Sequence, residues 1–291
     1  MTSSPKNSSV RGLSLEGVTV AFGGIWALEE VTLRVEPGER LAVIGASGAG
    51  KSTLFRTLTR SVALGGGRVL VGGRDLYALP RGELRDVRRK IGSIHQSYNL
   101  IPQLSAGVNA ALGEVGGMGG LGTLRALLAG PDAALARRAR NALERVGLVE
   151  KADARTAELS GGQQQRVAVA RLLVQQPDLI LADEPFAAVD PVTTERVFES
   201  LLELNREGVT LLINLHDVEI ACRFPRIVAL RDGRISFDGP PEHLTEERLA
   251  RIYAGDPHET SKENDPEAAD TRHCGEEPVR VTKGRDGVSA H

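Results

Sequence analysis

The chain has few cysteines, few aromatic residues and no long apolar run. Two of its 291 residues are cysteines and 3% are aromatic. Cys222 and Cys274 lie far apart, in none of the paired spacings of a zinc site, so we predict two free thiols. No stretch approaches the roughly 20 consecutive apolar residues that cross a bilayer. Met1 to Val10 is polar and lacks a secretory apolar core, so we expect a cytoplasmic protein.

A large net charge of either sign is also missing. The chain carries 36 Lys and Arg against 38 Asp and Glu, which gives a formal net charge of -2. Such a balance offers no general electrostatic reason to bind nucleic acid, and no nucleic-acid partner is expected. With 41% hydrophobic and 25% charged residues, the composition is that of an ordinary globular protein.

The two ends differ from the middle of the chain. Residues 1–12 are rich in Ser, and residues 255–291 mix acids, bases, Pro and Gly with almost no large apolar side chain. Neither end can bury enough surface to fold, so both are predicted to be disordered tails around one domain at 13–254. His258, His273 and Cys274 are candidate metal ligands, but scattered ligands on a flexible chain usually bind nothing tightly.

A glycine-rich stretch follows the apolar run Leu41 to Ile44. Glycines let several backbone N–H groups turn toward one phosphate, and a following helix adds its positive end. The Gly-Lys-Ser ending favours a nucleoside triphosphate loop over an ordinary strand-to-helix turn, with Lys51 at the β- and γ-phosphates and Ser52 at Mg²⁺. Alone, the loop does not separate a GTPase, a kinase and an ATPase. The predicted nucleotide-binding residues here are Gly45, Ala46, Ser47, Gly48, Ala49, Gly50, Lys51, Ser52 and Thr53.

Two acids end a second apolar run, Leu179 to Ala182, and a histidine ends a third, Val209 to Leu215. A parallel sheet presents its ligand-binding groups at the carboxyl ends of its strands. After a phosphate loop we therefore interpret Asp183 as a magnesium residue and Glu184 as the group that orients or deprotonates the attacking water, rather than as a solvated turn. His216, more often a structural residue when it is alone, is predicted to contact the γ-phosphate.

These residues, together with Leu-Ser-Gly-Gly-Gln at 159–163, Gln96 and Asp190, resemble the nucleotide-binding subunit of the ATP-binding cassette family. The resemblance covers nearly everything from Leu13 to Tyr253. It implies an ATPase of the α/β class, a P-loop NTPase fold of the ABC type. The buried runs fit its parallel sheet, and Leu13 to Val35 fits its antiparallel β subdomain. Helical spacing at 124–128 and at 133–146 predicts a small helical subdomain over residues from about 96 to 160, and the glycine-rich piece 115–122 is predicted to be a flexible connection.

The resemblance also implies ATP and Mg²⁺ as cofactors and a head-to-tail dimer with a second ATP-binding subunit. Ser160, Gly161, Gly162 and Gln163, before a helix expected to begin near Gln164, would bind the ATP held by the partner's phosphate loop. Asp190 is assigned to the same nucleotide site. Gln96 would touch the metal or the water and lie beside the surface that receives a membrane subunit. Phe22 matches the aromatic residue that stacks on adenine, with a core role for Phe22, or Trp26 in its place, as the alternatives.

A closer resemblance, to phosphonate-importer ATP-binding subunits, extends over Leu159 to Arg171, Ala182 to Pro191 and the ending Ile235 to Leu244. It implies a protein at the cytoplasmic face of the inner membrane that serves transmembrane permease subunits and, indirectly, an extracytoplasmic solute-binding protein. An importer of another small solute, an accessory ATPase of a phosphonate-degrading complex and a soluble cassette acting on nucleic acid are the alternatives. Ala188 and His95 depart from the family pattern, and neither removes a group that phosphoryl transfer needs directly.

Overall fold

The computed structural model describes residues 10, 12–95, 98–115, 130–186 and 190–254. Its strands are β1 (Leu13–Phe22), β2 (Ile25–Val35), β3 (Arg40–Ile44), β4 (Gly66–Val71), β5 (Arg74–Asp75), β6 (Ile91–Ile94), β7 (Leu179–Asp183), β8 (Thr210–Asn214), β9 (Ile227–Arg231) and β10 (Arg234–Gly239). The α-helices in the described ranges are α1 (Lys51–Leu58), α2 (Arg81–Arg89), α3 (Ala106–Val115), α4 (Ala133–Arg145), α5 (Gly161–Gln175), α6 (Pro191–Arg206), α7 (Val218–Ala221) and α8 (Glu246–Tyr253). Short 3-10 helices cover Val149–Lys151, Thr156–Glu158 and Pro241–His243.

The main sheet has six strands in the order β10-β9-β3-β8-β7-β6. β3 pairs in parallel with β8 and β9, β8 with β7, and β7 with β6, whereas β10 runs antiparallel to β9. The apolar runs that predicted buried strands become β3, β7 and β8. Apart from their end residues these strands are apolar, because both of their faces are covered. The predicted parallel sheet is confirmed.

A second sheet of four antiparallel strands has the order β2-β1-β4-β5. Inward and outward side chains alternate along its strands, and the inward side chains of Leu13, Leu15, Val31 and Leu33 are buried. The prediction of antiparallel strands from Leu13 to Val35 is confirmed. Val10, which falls in the segment predicted as a tail, is 4% exposed and its N–H donates to Asp178 Oδ2 at 3.0 Å, because its apolar side chain packs on this sheet's core.

The core consists of two clusters on opposite faces of the main sheet. One cluster joins the antiparallel sheet and helix α1 to alternate residues of the main strands, including Val43, Leu181 and Leu212. The other joins α5 and α6 to the intervening residues, such as Ala182 and Ile213. Because successive residues of a strand point to opposite faces, residue parity tells which layer a side chain faces.

Helices α3, α4 and α5 pack against one another beside the main sheet. α4 covers the predicted helical spacing between residues 133 and 146, and the Asp132 side chain caps it by accepting the Leu135 N–H at 2.8 Å. Buried Asn109 of α3 ties this layer to the chain before α5 through Ile101 and Thr156. The helical spacing predicted at 124–128 and the glycine-rich connection at 115–122 lie at or beyond the edge of the described residues.

The prediction of free thiols is wrong for Cys222, which is disulfide-bonded. Spacing along a chain does not limit which cysteines come within bonding distance after folding, so the sequence argument could not exclude the bond. Cys274, His258 and His273 lie outside the described residues. Within the described part of the chain, no group of three or more His, Cys, Asp or Glu side chains forms a metal cluster, and no helix is long and apolar enough to cross a membrane.

Candidate functional site

The phosphate loop joins β3 to α1 through glycines that have left-handed backbone. Gly45, Gly48 and Gly50 have φ of 145°, 81° and 103°, values that side chains disfavour. Two of them also touch neighbouring main chain. A Cβ on Gly45 would lie 2.2 Å from the Leu230 carbonyl oxygen, and one on Gly50 would lie 2.4 Å from the Ala27 carbonyl oxygen. The loop is therefore held between β9 and β2 by contacts that only glycine allows.

Lys51 occupies the inside of this loop. Its side chain is buried, and Nζ donates to the Gly45 carbonyl at 2.5 Å and to the Ala46 carbonyl at 3.0 Å. Burial of an ammonium requires such partners, and a phosphate oxygen is a stronger one. Ser52 is exposed at the start of α1, and Thr53 behind it is half-buried. Gly50, the N-cap of α1, makes no side-chain capping hydrogen bond, which suits a helix start that binds an anion.

The remaining loop residues differ in exposure. Ser47 and Gly48 are exposed, Ala46 and Gly50 are half-buried, and Ala49 is buried. The exposed part of the loop is thus its middle, where a phosphate chain can approach the backbone.

The two acids and the histidine predicted from the strand ends lie together. Glu184 Oε1 is 2.6 Å from His216 Nε2, and the Glu184 N–H donates to the Asn214 carbonyl at 3.1 Å. Glu184 has a φ of 53°, a left-handed conformation that is rare outside glycine. The Asn214 side-chain amide donates to Asp183 Oδ1. The ends of β7 and β8 therefore form one polar cluster.

Ser160 is an exposed N-cap at the start of α5. It accepts the Gln163 N–H at 3.3 Å, and the Gln163 side chain accepts the Ser160 N–H at 3.0 Å. The helix begins at Gly161, so the prediction of a start near Gln164 is wrong by three residues. The reason is this reciprocal capping box, which makes Gln163 the third residue of the helix. The Ser160 hydroxyl proton stays available to a ligand.

Asp190 is the exposed N-cap of α6. Its Oδ1 accepts the Thr193 N–H at 2.9 Å, and the hydrogen bonds from Thr193 lower the pKa of this carboxyl group below its ordinary value. A Cβ on Gly162 would lie 3.1 Å from the Thr193 side chain. The Ser160 loop and the Asp190 cap therefore adjoin each other, on elements different from the phosphate loop.

Phe22, Ile25 and Trp26 form an exposed apolar tip on the β1–β2 hairpin, with 49%, 76% and 54% of their surface accessible. Phe22 pairs with Ile25, whereas Trp26 pairs with Ala21. Further along the hairpin Val20 pairs with Leu28, and both side chains point inward, so β2 has one unpaired residue, Ala27, between this pair and the tip. As a result Phe22 and Ile25 lie on the same face of the hairpin as Leu28, and Trp26 lies on the opposite face.

Leu28 is the side chain nearest to Gly50, 3.0 Å from a Cβ built there. Of the two aromatic candidates, Phe22 is therefore the one on the hairpin face that packs against Gly50 through Leu28. Exposure of a large aromatic side chain at this place also argues against a core role.

The residues fit a magnesium ion. Asp183 and Ser52 offer oxygen ligands, and Asn214 Oδ1 is a buried acceptor that lacks a hydrogen-bond donor among the described residues. Mg²⁺ takes one or two protein oxygens plus phosphate oxygens and keeps several waters, so it needs no larger cluster. Asn214 was missed in the sequence, although a polar residue inside the run Leu211 to Leu215 is a signal.

Gln96 and Ala188 lie outside the described residues, and His95 is exposed at the end of β6. Next to His95 is a groove of about 920 Å³ between α2, α3 and α5. Its lining is strongly basic and was not singled out from the sequence, although the arginine-rich segment 81–89 signals it. The basic side chains of the lining are Arg81, Arg85, Arg88, Arg89, Arg171 and His95.

Arg171 connects this groove to the Ser160 loop. It lies on α5, the helix that Ser160 caps, and donates to the Tyr98 carbonyl at 2.9 Å and the Asn99 carbonyl at 2.8 Å. Burial lowers the pKa of Arg171, and both carbonyls compensate the buried guanidinium. One rigid helix thus links the Ser160 loop to the chain beside the groove.

Comparison with known proteins agrees with this arrangement. The model of the family described as "ABC transporter" matches residues 28–187. The chain is similar to "Phosphonates import ATP-binding protein PhnC" of Stutzerimonas stutzeri, 44% identical over 261 residues, 86% of this chain and 91% of the relative. It is also similar to the protein of the same name from Shouchella clausii, 43% identical over 232 residues, 79% of this chain and 86% of the relative.

Among solved structures, the chain is similar to the dimeric post-hydrolysis state of the ATP-binding cassette MJ0796 bound to ADP and Pi. The two are 34% identical with a TM-score of 0.70, over 78% of this chain and 98% of that chain. The nucleotide-free ATP-binding cassette of an ABC transporter is 28% identical with a TM-score of 0.69, over 85% and 96%.

Proposed function

Because the chain belongs to the ABC transporter family, we propose that it is the ATP-hydrolysing subunit that energises an importer of phosphonates or related phosphorus oxyanions. The ATPase core is common to the family, so the cargo is the part that needs a separate argument. The observation that carries it is that relatives covering most of this chain at 41–46% identity bear names for phosphonate import. No residue of an ATPase subunit need touch the cargo, so the argument rests on kinship.

ATP binds along the phosphate loop in this proposal. Lys51 exchanges the Gly45 and Ala46 carbonyls for β- and γ-phosphate oxygens, which keeps its buried charge paired. Ser47, Gly48 and the other loop residues supply backbone N–H groups, and α1 adds its positive end. Ser52 and Asp183, with Gln96, would hold the magnesium ion, whose chemistry is to neutralise charge on the β- and γ-phosphates.

Hydrolysis uses the cluster at the ends of β7 and β8. Glu184 accepts a proton of the attacking water and orients it toward the γ-phosphorus. The strained backbone at Glu184, held by the Asn214 carbonyl, fixes where its carboxylate points. His216, now 2.6 Å from Glu184, would turn part of its hydrogen-bonding capacity to the γ-phosphate when ATP is bound.

A second copy of the cassette completes each ATP site. At the start of α5, Ser160 and Gly161 are exposed and Gly162 and Gln163 are half-buried, and Asp190 adjoins them. In a head-to-tail dimer this anion-binding helix start meets the γ-phosphate on the partner's phosphate loop. ATP then joins the two subunits, and hydrolysis releases them because the γ-phosphate contact is lost.

Permease subunits are the other partner, and the basic groove is the surface we assign to them. Its arginines outnumber its one acid, Glu114, which Arg138 pairs with, so an acidic segment fits it. Arg171 and α5 connect the groove to the Ser160 loop, so closure of the dimer would move the groove as well. The protein would thus act at the cytoplasmic face of the membrane, with a solute-binding protein outside it that selects the cargo.

The test is uptake of labelled methylphosphonate by cells whose sole copy carries Lys51→Ala, with phosphate and phosphite as competitors. Lys151→Ala, which changes an exposed lysine far along the chain, is the matched control. We expect uptake to be lost with the first variant and kept with the second. Equal uptake in all strains would reject phosphonate import, and copurification with soluble lyase subunits would favour the accessory ATPase instead. Loss of uptake of a different solute alone would favour an importer for that solute.

A further inference from the structure

Asn214 is a polar residue at the centre of the main sheet. It is the last residue of β8, its side chain is fully buried, and it pairs with Val43 of β3 on one side and Asp183 of β7 on the other. The rest of β8 after Thr210 is apolar. A buried amide at such a place needs partners for both its ends, because an unpaired buried polar group costs stability.

Among the residues that the structure describes, only one end of the amide has a partner. Nδ2 donates to Asp183 Oδ1, and a carboxylate cannot donate back, so this contact fixes which end of the amide is nitrogen. Asn214 Oδ1 is left without a donor among the residues that the structure describes. The backbone carbonyl of Asn214 meanwhile accepts the Glu184 N–H. Asn214 thus holds both acids of the site, Asp183 through its side chain and Glu184 through its main chain.

The direction of the side chain follows from strand parity. Leu212 and Leu181 pack in the core cluster that contains Leu54 and Leu58 of α1. Asn214 lies two residues after Leu212 and Asp183 two residues after Leu181, so both polar side chains lie on the α1 face of the sheet. The phosphate loop ends in Lys51 and Ser52, which are the first residues of α1. The unpaired oxygen is therefore on the side where the nucleotide and its metal ion bind.

We propose that Asn214 is a positioning residue for the metal site. Its amide nitrogen orients the Asp183 carboxylate, and its amide oxygen accepts a hydrogen bond from water at the magnesium ion. The inference rests on the proposed ATPase function and adds to it a partner for the one buried acceptor that the described site leaves unpaired. Outer-shell partners of this kind tune metal affinity without touching the metal.

The experiment compares Asn214→Val with Asn214→Thr. Val and Thr side chains have the same shape, but Thr has a hydroxyl group that can both donate and accept a hydrogen bond. Manganese serves as the probe, and its affinity for the protein loaded with a non-hydrolysable ATP analogue is measured by electron paramagnetic resonance. Affinity of the analogue without metal is measured in EDTA. We expect Asn214→Val to weaken manganese binding by about 10-fold or more, with metal-free nucleotide binding unchanged, and Asn214→Thr to recover most of the loss.

Equal manganese affinity in wild type and Asn214→Val overturns the inference. A loss of manganese affinity that is as large in Asn214→Thr as in Asn214→Val overturns it too. Thermal unfolding in EDTA checks that each variant is folded. If Asn214→Val does not fold, Asn214→Ala takes its place in the comparison. Failure of the wild type to bind the nucleotide would reject the proposed function itself, whereas intact wild-type binding with an unaffected Asn214→Val rejects the role of Asn214 alone.

Discussion

Glu184 Oε1 and His216 Nε2 lie 2.6 Å apart across the ends of two neighbouring parallel strands. Side chains 32 positions apart in sequence meet there because β7 and β8 end at the same edge of the sheet. The pair places a carboxylate and an imidazole where a strand end faces the phosphate loop. In the proposed mechanism Glu184 accepts the proton of the attacking water, and the contact with His216 helps to hold its carboxylate in place.

Glu184→Gln should therefore separate ATP binding from hydrolysis. The amide keeps the size of the side chain but cannot accept a proton, so we expect kcat to fall by about 100-fold or more. The dissociation constant for ATP should stay within about twofold. Steady-state ATPase assays and equilibrium binding of ATP measure the two quantities. A variant that hydrolyses ATP at the wild-type rate would remove Glu184 from the role of general base.

The shared-site dimer that we propose predicts complementation between two inactive variants. Lys51→Ala disables the phosphate loop, and Ser160→Arg disables the helix start that meets the partner's ATP. Each homodimer carries one lesion in every site and should be inactive. A mixed dimer collects both lesions in one site and leaves the other intact, so an equal mixture should regain roughly a quarter of the wild-type sites if subunits pair at random.

The measurement is ATPase activity of the mixture at a concentration that supports dimers, with each variant alone as the control. No recovery on mixing, despite heterodimers detected by a tag on one variant, would mean that each chain hydrolyses ATP by itself.

Several strands and site residues could be predicted from the sequence alone. The run Leu41 to Ile44 predicted a buried strand because a strand covered on both faces must be apolar throughout. Asp183 and His216 were singled out because they end such runs. Asn214 was not, because one polar residue in a strand has no motif, and only its contact with Asp183 explains it.

Other features depended on geometry that spacing does not carry. Phe22 and Trp26 could not be separated in the sequence, because the residue that decides their faces is the extra Ala27 in β2. The start of α5 was misplaced because Gln163 looked like part of a loop, although its side chain completes a capping box. The Cys222 bond was missed because chain distance does not limit spatial distance.

Phe22→Ala should weaken ATP binding, whereas Trp26→Ala should not. Phe22 lies on the hairpin side that faces Gly50, and stacking of a base on an aromatic ring contributes about 1–3 kcal/mol. We therefore expect the dissociation constant for ATP to rise by about 10-fold with Phe22→Ala. Trp26→Ala is the matched control, since it removes a ring of similar exposure from the opposite face. Isothermal titration with ATP distinguishes them, and the reverse order would assign adenine to Trp26.

Charge reversal in the basic groove should uncouple the ATPase from its membrane partner. Arg81 and Arg85 are exposed lining residues, whereas Arg88 binds the main-chain carbonyls of Thr59 and Arg60 and is better left intact. We expect the double change of Arg81 and Arg85 to Glu to abolish copurification with permease subunits and methylphosphonate uptake. ATPase activity of the isolated protein should stay within about twofold, since the change adds only surface charge.

Arg137→Glu is the control for this experiment, because it reverses an exposed arginine of α4 that does not line the groove. If the groove variant and the control copurify equally well with the permease, the groove is not the docking surface. If both variants lose copurification with the permease to the same extent, the cause is the change in net charge rather than the groove.

Gly50→Ala should destabilise the fold more than Gly48→Ala does. Both glycines have positive φ, 103° and 81°, and a side chain in such a conformation costs about 1–3 kcal/mol. At Gly48 the added Cβ meets nothing within 4 Å, so the backbone term acts alone. At Gly50 the Cβ would also lie 2.4 Å from the Ala27 carbonyl oxygen, and relief of that overlap must move β2 or the loop.

Overpacking of this kind adds about 1–3 kcal/mol, so the urea midpoint of Gly50→Ala, measured without nucleotide, should fall clearly below that of Gly48→Ala. Equal midpoints would mean that the contact between the phosphate loop and β2 relaxes without cost.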